Sequence, residues 1–358
     1  MRSGYGAAVL LIGLDPAFAG HDPGGGHPER PARLDAAAQG IDAAGLDDAL
    51  VELSVRPATD AELTAVHTPE MIDRVAATSS RGGGAFDPDT WASSGSWEAA
   101  RRAAGAGPAA VQALERGDGE AAFLVLRPPG HHARRSTPMG FCLLNNIAVT
   151  AAALADRGES VAIVDVDAHH GNGTQEIFYD DPRVLYVSAH QWPFYPGTGA
   201  LDEIGVGAGV GSTCNLPLPA GATGDVYLRA LDTIVIPRVE AFAPTWLLLS
   251  LGFDAHRDDP LTDLGLSAAD FGLIVGRLAR LVPGGRRVAF LEGGYDLDAL
   301  RTSVAAALPG LLGASAGEPP DQPTAGGPGA RDVDRAAAWW AAQGESASGP
   351  RAPGRYMT

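Results

Sequence analysis

Lysine is absent from the 358-residue chain, so every basic side chain is arginine or histidine. A Walker lysine, a Schiff-base lysine and Ser-Lys catalysis are excluded together. The two cysteines, Cys142 and Cys214, are too few for a disulfide framework and suit a reducing, cytoplasmic setting. No apolar stretch reaches the roughly 18 uncharged residues that a membrane span needs. The short apolar run near the N-terminus ends at Asp15 and Pro16 without a small-residue cleavage pattern, so it reads as a first β-strand, not a signal peptide. Positive charge is scarce as well: 26 basic against 43 acidic residues leave a formal net charge of −17. That argues against nucleic acid as a partner and mildly favours cationic or neutral substrates.

What the chain has in quantity is apolar residues, 45% of the total. They gather in near-continuous runs: GAAVLLIGLD, AAFLVLRPPG, SVAIVDVDA, RVLYVSAH, PTWLLLSLGFD and RRVAFLEGGY. Such runs fit strands covered on both faces and predict an α/β fold with a mostly parallel sheet. Alanine-rich helical segments lie between them, among them GSWEAARRAAGAGPAAVQALERG, GDVYLRALDTIVIPRVEAF and SAADFGLIVGRLARLV, with Thr59, Asp60 and Ser267 as candidate N-caps. One domain is expected over 1–313, followed by a Pro/Gly/Ala-rich extension over 314–358 in which DVDRAAAWWAAQ forms a short helix that docks Trp339 and Trp340. The glycines of EIGVGAGVGSTCN imitate a dinucleotide fingerprint but lack its strand, turn and helix context.

Polar groups with catalytic potential fall at the ends of predicted strands: His131 and His132; Asp165, Asp167, His169 and His170; Asp254 and His256; Tyr295. Ligands of open parallel sheets bind at that edge. In an extended backbone Asp165, Asp167 and His169 project to one side, and Asp254 from another strand would complete a mixed N/O set that leaves a position for water.

RPPGHH, GFCLLNN, DVDAHHGNGT, YPGTGALDEIG, NLPLPAG, LGFDAHRDDPL and LEGGYDLDAL, with HPERPARL near the N-terminus, resemble the zinc-dependent histone deacetylase and acetylpolyamine amidohydrolase superfamily, in particular class II-like bacterial members. The resemblance runs from about residue 15 to residue 312 with the motifs in the family's order. It implies the arginase-deacetylase fold, about eight strands in a mostly parallel sheet flanked by helices. It implies one catalytic zinc on Asp167, His169 and Asp254, activating a water against the amide carbonyl. Tyr295 is implied as a hydrogen-bond donor to that carbonyl, and the tandem histidines as proton handlers. By the same resemblance His131 pairs with Asp165 and His132 is the main base. Where some members place a second Asp behind that base, Asn172 stands here, which leaves His132 more readily neutral.

The resemblance also places potassium against the Asp165 carboxylate, the backbone carbonyls of Asp167 and His169, and the Ser188 hydroxyl. It puts Phe141 and Tyr195 on either side of the substrate methylenes, with Gly140, Gly293 and Gly294 allowing close approach; Tyr195 departs from the commoner Phe. His190, His170 and His256 read as supporting groups and Cys142 as a packed residue, while Asp22 and His27 belong to a loop that borders the entrance or an interface. The position after the DDP turn, acidic in a polyamine-selective site, is Leu261. The expected substrate is therefore an acetylated lysine peptide or a small acyl-amine. An acetylpolyamine enzyme, an arginase-like two-metal hydrolase and a non-catalytic acetyl-amide sensor are the competing readings, and a homo-oligomer is left open.

Overall fold

The computed structural model describes residues 8–313 and 322–347, with side chains up to 343. The expected fraying of SASGPRAPGRYMT, apart from its first residues, and the first half of the Pro/Gly/Ala-rich run lie outside the described residues. Strands β1 (Leu10–Gly13) and β2 (Leu50–Glu52) open the chain, and β3 (Gly83–Ala85) and β4 (Trp91–Ser93) pair as a separate antiparallel hairpin. Next come β5 (Ala121–Leu124), β6 (Val161–Asp165), β7 (Val184–Gln191), β8 (Thr213–Leu218), β9 (Trp246–Leu251) and β10 (Arg287–Leu291). All but the hairpin join one eight-stranded, wholly parallel sheet in the order β2-β1-β5-β10-β9-β6-β7-β8. The eight-stranded parallel sheet agrees with the arginase-deacetylase fold that the resemblance implies. Every residue of β5, β6, β7, β9 and β10 is buried, which is why these strands read as unbroken apolar runs.

The flanking helices are α1 (Ala32–Ala43), α2 (Asp60–Thr64), α3 (Pro69–Ser80), α4 (Ser96–Glu115), α5 (Asn146–Ala155), α6 (Asn172–Phe178), α7 (Gly224–Ala230), α8 (Ile236–Phe242), α9 (Ala268–Leu278), α10 (Leu297–Leu311) and α11 (Ala330–Ala347). Thr59 caps α2 through a reciprocal capping box with Glu62. The segment GDVYLRALDTIVIPRVEAF is not one uniform helix: a π turn at Leu231–Val235 separates α7 from α8. Pro237 explains the break, because it offers no N–H and its ring collides with a regular preceding turn. Helix α11 packs on α7 and β8, burying Trp340 under the Arg238 guanidinium, 3.6 Å from the ring centroid, while Trp339 stays partly buried. Among the described residues no helix is long and apolar enough to cross a membrane.

Strand β6 ends at Asp165, so the extended run expected to continue to His169 is corrected to a bend. Two successive side-chain turns cause it. The Asp165 carboxylate accepts from the Asp167 amide at 3.2 Å, and the Asp167 carboxylate accepts from the His169 amide at 2.9 Å. Aspartate favours such turns, which answers why two poor strand formers close a buried strand.

Candidate active site

The bend after β6 brings His169 Nδ1 to 3.1 Å from Asp167 Oδ1 and 3.0 Å from Asp254 Oδ2, the latter carried on the loop beyond β9. One ligand atom from each of the three lies within 4.8 Å of the others. Two glycines keep this cradle open. A Cβ on Gly293 would stand 2.2 Å from Asp254 Oδ2, and one on Gly252 would stand 1.9 Å from Asp167 Oδ2. Among the described residues no arginine pairs with either aspartate, whose remaining oxygens accept backbone amides of Gly293 and Ala168. Buried carboxylates in excess over cations, with one imidazole nitrogen, fit a divalent metal, and the N/O set suits zinc. In the bare chain histidine protons supply the counter-charge. Burial disfavours charge on His169, yet hydrogen bonds to Asp167 and Asp254 push it up to about 10. Burial also opposes ionisation of Asp167, but His131 and His169 outweigh it and hold that carboxyl well below the usual range.

The loop after β5 sets the tandem histidines side by side, ring centroids 4.0 Å apart, on different partners. His131 Nδ1 lies 3.0 Å from Asp165 Oδ2, which also accepts from the Tyr186 hydroxyl. His132 Nδ1 lies 2.8 Å from Asn172 Oδ1. Burial acts against charge on both. For His131 the Asp167 and Asp165 charges prevail and push it up to about 10; for His132 the cationic His131 and His169 add to burial and drive it well below the usual range. Since a carbonyl oxygen only accepts, His132 Nδ1 carries the hydrogen and Nε2 the lone pair. The contact leaves no room behind the ring: a Cβ on Gly140 would sit 2.5 Å from His132 Cδ2.

Phe141 has a left-handed backbone, φ 67°, a conformation costing about 1–3 kcal/mol for a non-glycine residue. Its amide donates to Thr90 Oγ1 at 3.1 Å, and its ring meets Tyr295 edge-on at 5.7 Å and His27 at 4.6 Å. The His27 loop thus packs against Phe141, with Asp22 exposed on it. Tyr195 is 38% exposed and stands edge-on to His132 at 5.3 Å. Tyr295 is buried, and burial raises its phenol well above the ordinary value, so it stays a donor at neutral pH. Its amide donates to Asp259 Oδ2 at 2.7 Å, and Leu261 is tied to the same carboxylate through its own amide at 3.0 Å. Gly294, at φ 117°, turns the chain just before Tyr295.

Ser188 stands beside Asp165 in the β6–β7 register. His190 donates from Nε2 to the Gly199 carbonyl, 3.0 Å, so its Nδ1 accepts the Ser188 hydroxyl at 2.9 Å. His170 is held by Thr198 and Gln175, His256 accepts the Asp258 amide, and Cys142 is packed with Met71 and Ala133.

Motifs leave several site residues without a role. Phe194 stacks on His169 at 5.4 Å. Glu292 is fully buried, accepts from the Gly130 amide at 2.6 Å and the His131 amide at 3.2 Å, and burial pushes it up to about 7. Asp259, buried beside the Asp254 charge, is pushed up to about 7 as well. Beneath them Glu29 joins Arg33, Arg127 and His21 in a closed cluster. The signal was in view, since Glu29 and Arg33 lie in HPERPARL, Arg127 in RPPGHH and Glu292 in LEGGY.

A family model described as "Histone deacetylase domain" matches residues 27–311. A "Probable deacetylase" of Archaeoglobus fulgidus is 41% identical over 307 residues, covering 83% of each chain. "Histone deacetylase-like amidohydrolase" of Pseudomonas aeruginosa is 40% identical over 82% of this chain and 78% of its own. "Histone deacetylase 15" of Arabidopsis thaliana is 42% identical over 80% of this chain, which spans about half, 53%, of that longer protein. The crystal structure of an HDA15 HD domain superposes with a TM-score of 0.84 at 36% identity, covering 95% of this chain and 98% of that one.

Proposed function

The chain belongs to the histone deacetylase family, and from that premise we propose that it is a hydrolase that removes the acetyl group from acetyl-lysine side chains or related acyl-amides, using one zinc ion held by Asp167, His169 and Asp254. Family membership and the deacetylase and amidohydrolase relatives support hydrolysis of acetylated amides. The observation that carries the finer reading is the meeting of three elements at one rim: the open Asp-His-Asp cradle, the His132 ring held through Nδ1 by Asn172, and the Tyr295 phenol. When bound there, zinc supplies Lewis acidity for the carbonyl and lowers the pKa of water toward about 7.

The protein's own groups do the rest. His132 accepts the proton of the attacking water at Nε2 and returns it to the leaving amine. His131, held charged by Asp167 and Asp165, places a cation beside His132 that partly offsets negative charge developing on the substrate. Tyr295 donates to that charge, and Phe141 and Tyr195 flank an extended aliphatic chain. Potassium at Asp165, Ser188 and the Asp167 and His169 carbonyls would stiffen the bend that presents His169. Leu261 offers no carboxylate to a polyamine, which favours acyl-lysine, and the buried thiols fit a cytoplasmic setting.

Turnover of an acetyl-lysine peptide against acetylspermidine and acetylputrescine, with metal quantified on the same sample, tests this. About one zinc per chain and preference for the peptide are expected. Strong preference for the polyamines overturns the Leu261 argument, and two manganese ions would favour the arginase-like reading.

A further inference from the structure

Asn172 has an amide whose two ends demand opposite things of His132. With Oδ1 facing the ring, Nδ1 must carry the hydrogen and Nε2 is free to accept a proton. With Nδ2 facing the ring, Nδ1 must accept, the hydrogen moves to Nε2, and the neutral imidazole has no basic nitrogen at the cradle. A carboxylate at this position poses no such choice, because both its oxygens only accept. The uncharged partner therefore needs something to fix which way it points.

Solvent does not fix it. Asn172 is half-buried and borders a cavity of about 380 Å³ lined also by Arg134, Met139, Glu176, Tyr179 and Thr198. Water there donates and accepts equally well and satisfies either end of the amide. Met139 is different: its thioether has no hydrogen to give and only accepts. Asn172 Nδ2 donates to Met139 Sδ at 3.3 Å, while Oδ1 holds His132 Nδ1 at 2.8 Å. The sulfur is itself held in place. Met139 and Cys142 exchange both backbone hydrogen bonds, at 3.2 and 3.0 Å, across a tight turn whose central residues Gly140 and Phe141 both have positive φ. One turn thus presses Gly140 on the His132 ring, builds the Phe141 wall and aims an acceptor at Asn172.

We propose that Met139 is a positioning residue: its sulfur sets the amide orientation of Asn172 and thereby the tautomer in which His132 acts as a base. The inference rests on the general-base reading of His132. Met139→Leu keeps the volume and removes the acceptor. It lowers kcat about threefold to tenfold at unchanged KM, the span of one neutral hydrogen bond. In an Asn172→Asp background the same substitution leaves kcat unchanged, because a carboxylate has no wrong orientation. ¹⁵N spectra of the zinc-loaded protein, with the His132 signals identified by their loss in His132→Asn, give a readout independent of turnover. Native Nε2 appears unprotonated, and Met139→Leu populates the form protonated at Nε2.

An equal loss of kcat in both backgrounds would mean that Met139 merely packs, and an unshifted tautomer in Met139→Leu would sink the proposal as surely. A protein that hydrolyses no acyl-amide at all would instead defeat the deacetylase reading, and the ¹⁵N spectra would still decide the role of Met139.

Discussion

Two buried ionic centres meet at the LEGGY loop, and they are built on opposite principles. In the Glu29 centre one carboxylate is gripped by Arg127 and Arg33 and by His21, and leftover guanidinium hydrogens go to the carbonyls of Phe18, His21, Glu292 and Gly294. Its charges are answered from within. In the other centre Asp165, Asp167 and Asp254 converge, and among the described residues their cationic partners are histidines. A cluster that closes holds the fold; a cluster left rich in buried carboxylates is built to receive a cation. The carboxylates of both are fully buried, so burial alone does not separate them. The charge balance does.

The largest effect should come from the open centre. Asp254→Ala removes a ligand candidate and is expected to abolish turnover and stoichiometric zinc while the fold persists, since it relieves like-charge crowding with Asp167. A variant that keeps full zinc would contradict the ligand assignment and erase the contrast. Glu29→Gln tests the closed centre and should act on stability instead. It leaves two buried guanidiniums without their carboxylate, a loss of about 3–5 kcal/mol. Denaturant unfolding at saturating zinc measures it, and the folded fraction should still bind metal.

The same distinction marks what was legible beforehand. The parallel sheet was readable because its strands are buried on both faces and carry continuous apolar runs. Strand β2, whose Val51 is exposed at the sheet edge, and β8, interrupted by Asn215 and Pro217, lack that signature. Helices α3 and α10 are capped by Thr68 and Asp296, but threonine and serine in α3 and the proline in α10 dilute their periodicity. In the site, the family resemblance pointed to Asp167, His169 and Asp254, which the fold brings together. Glu29, Arg33 and Glu292 stood inside quoted motifs, yet their work is done by contacts across up to 261 residues of sequence, as with Arg33 and Gly294. Spacing along a chain carries no trace of such contacts.

Two smaller effects probe the seam between the centres. Tyr295→Phe keeps fold, zinc and packing but removes the phenol donor, so kcat should fall about 10²-fold with KM little changed. An undiminished rate would take Tyr295 out of the chemistry and leave the open centre to work with the metal and His132 alone.

Arg33→Lys should have the smaller effect of the two. Arg33 belongs to the closed centre, yet its guanidinium donates to the carbonyls of Glu292 and Gly294 and lies 5.1 Å from the centroid of the Tyr295 ring. Lysine keeps the charge beside Glu29 but not the planar fork that spans both carbonyls. The loop that carries Tyr295 then loses one anchor while Asp259 still holds the Tyr295 amide. Misplacement of a donor by a fraction of an ångström costs less than its removal, so kcat should drop about tenfold with zinc content unchanged. Combining the two substitutions is the sharper measurement. If Arg33 acts through Tyr295, Arg33→Lys adds nothing to Tyr295→Phe; full additivity would place Arg33 wholly on the side of the fold.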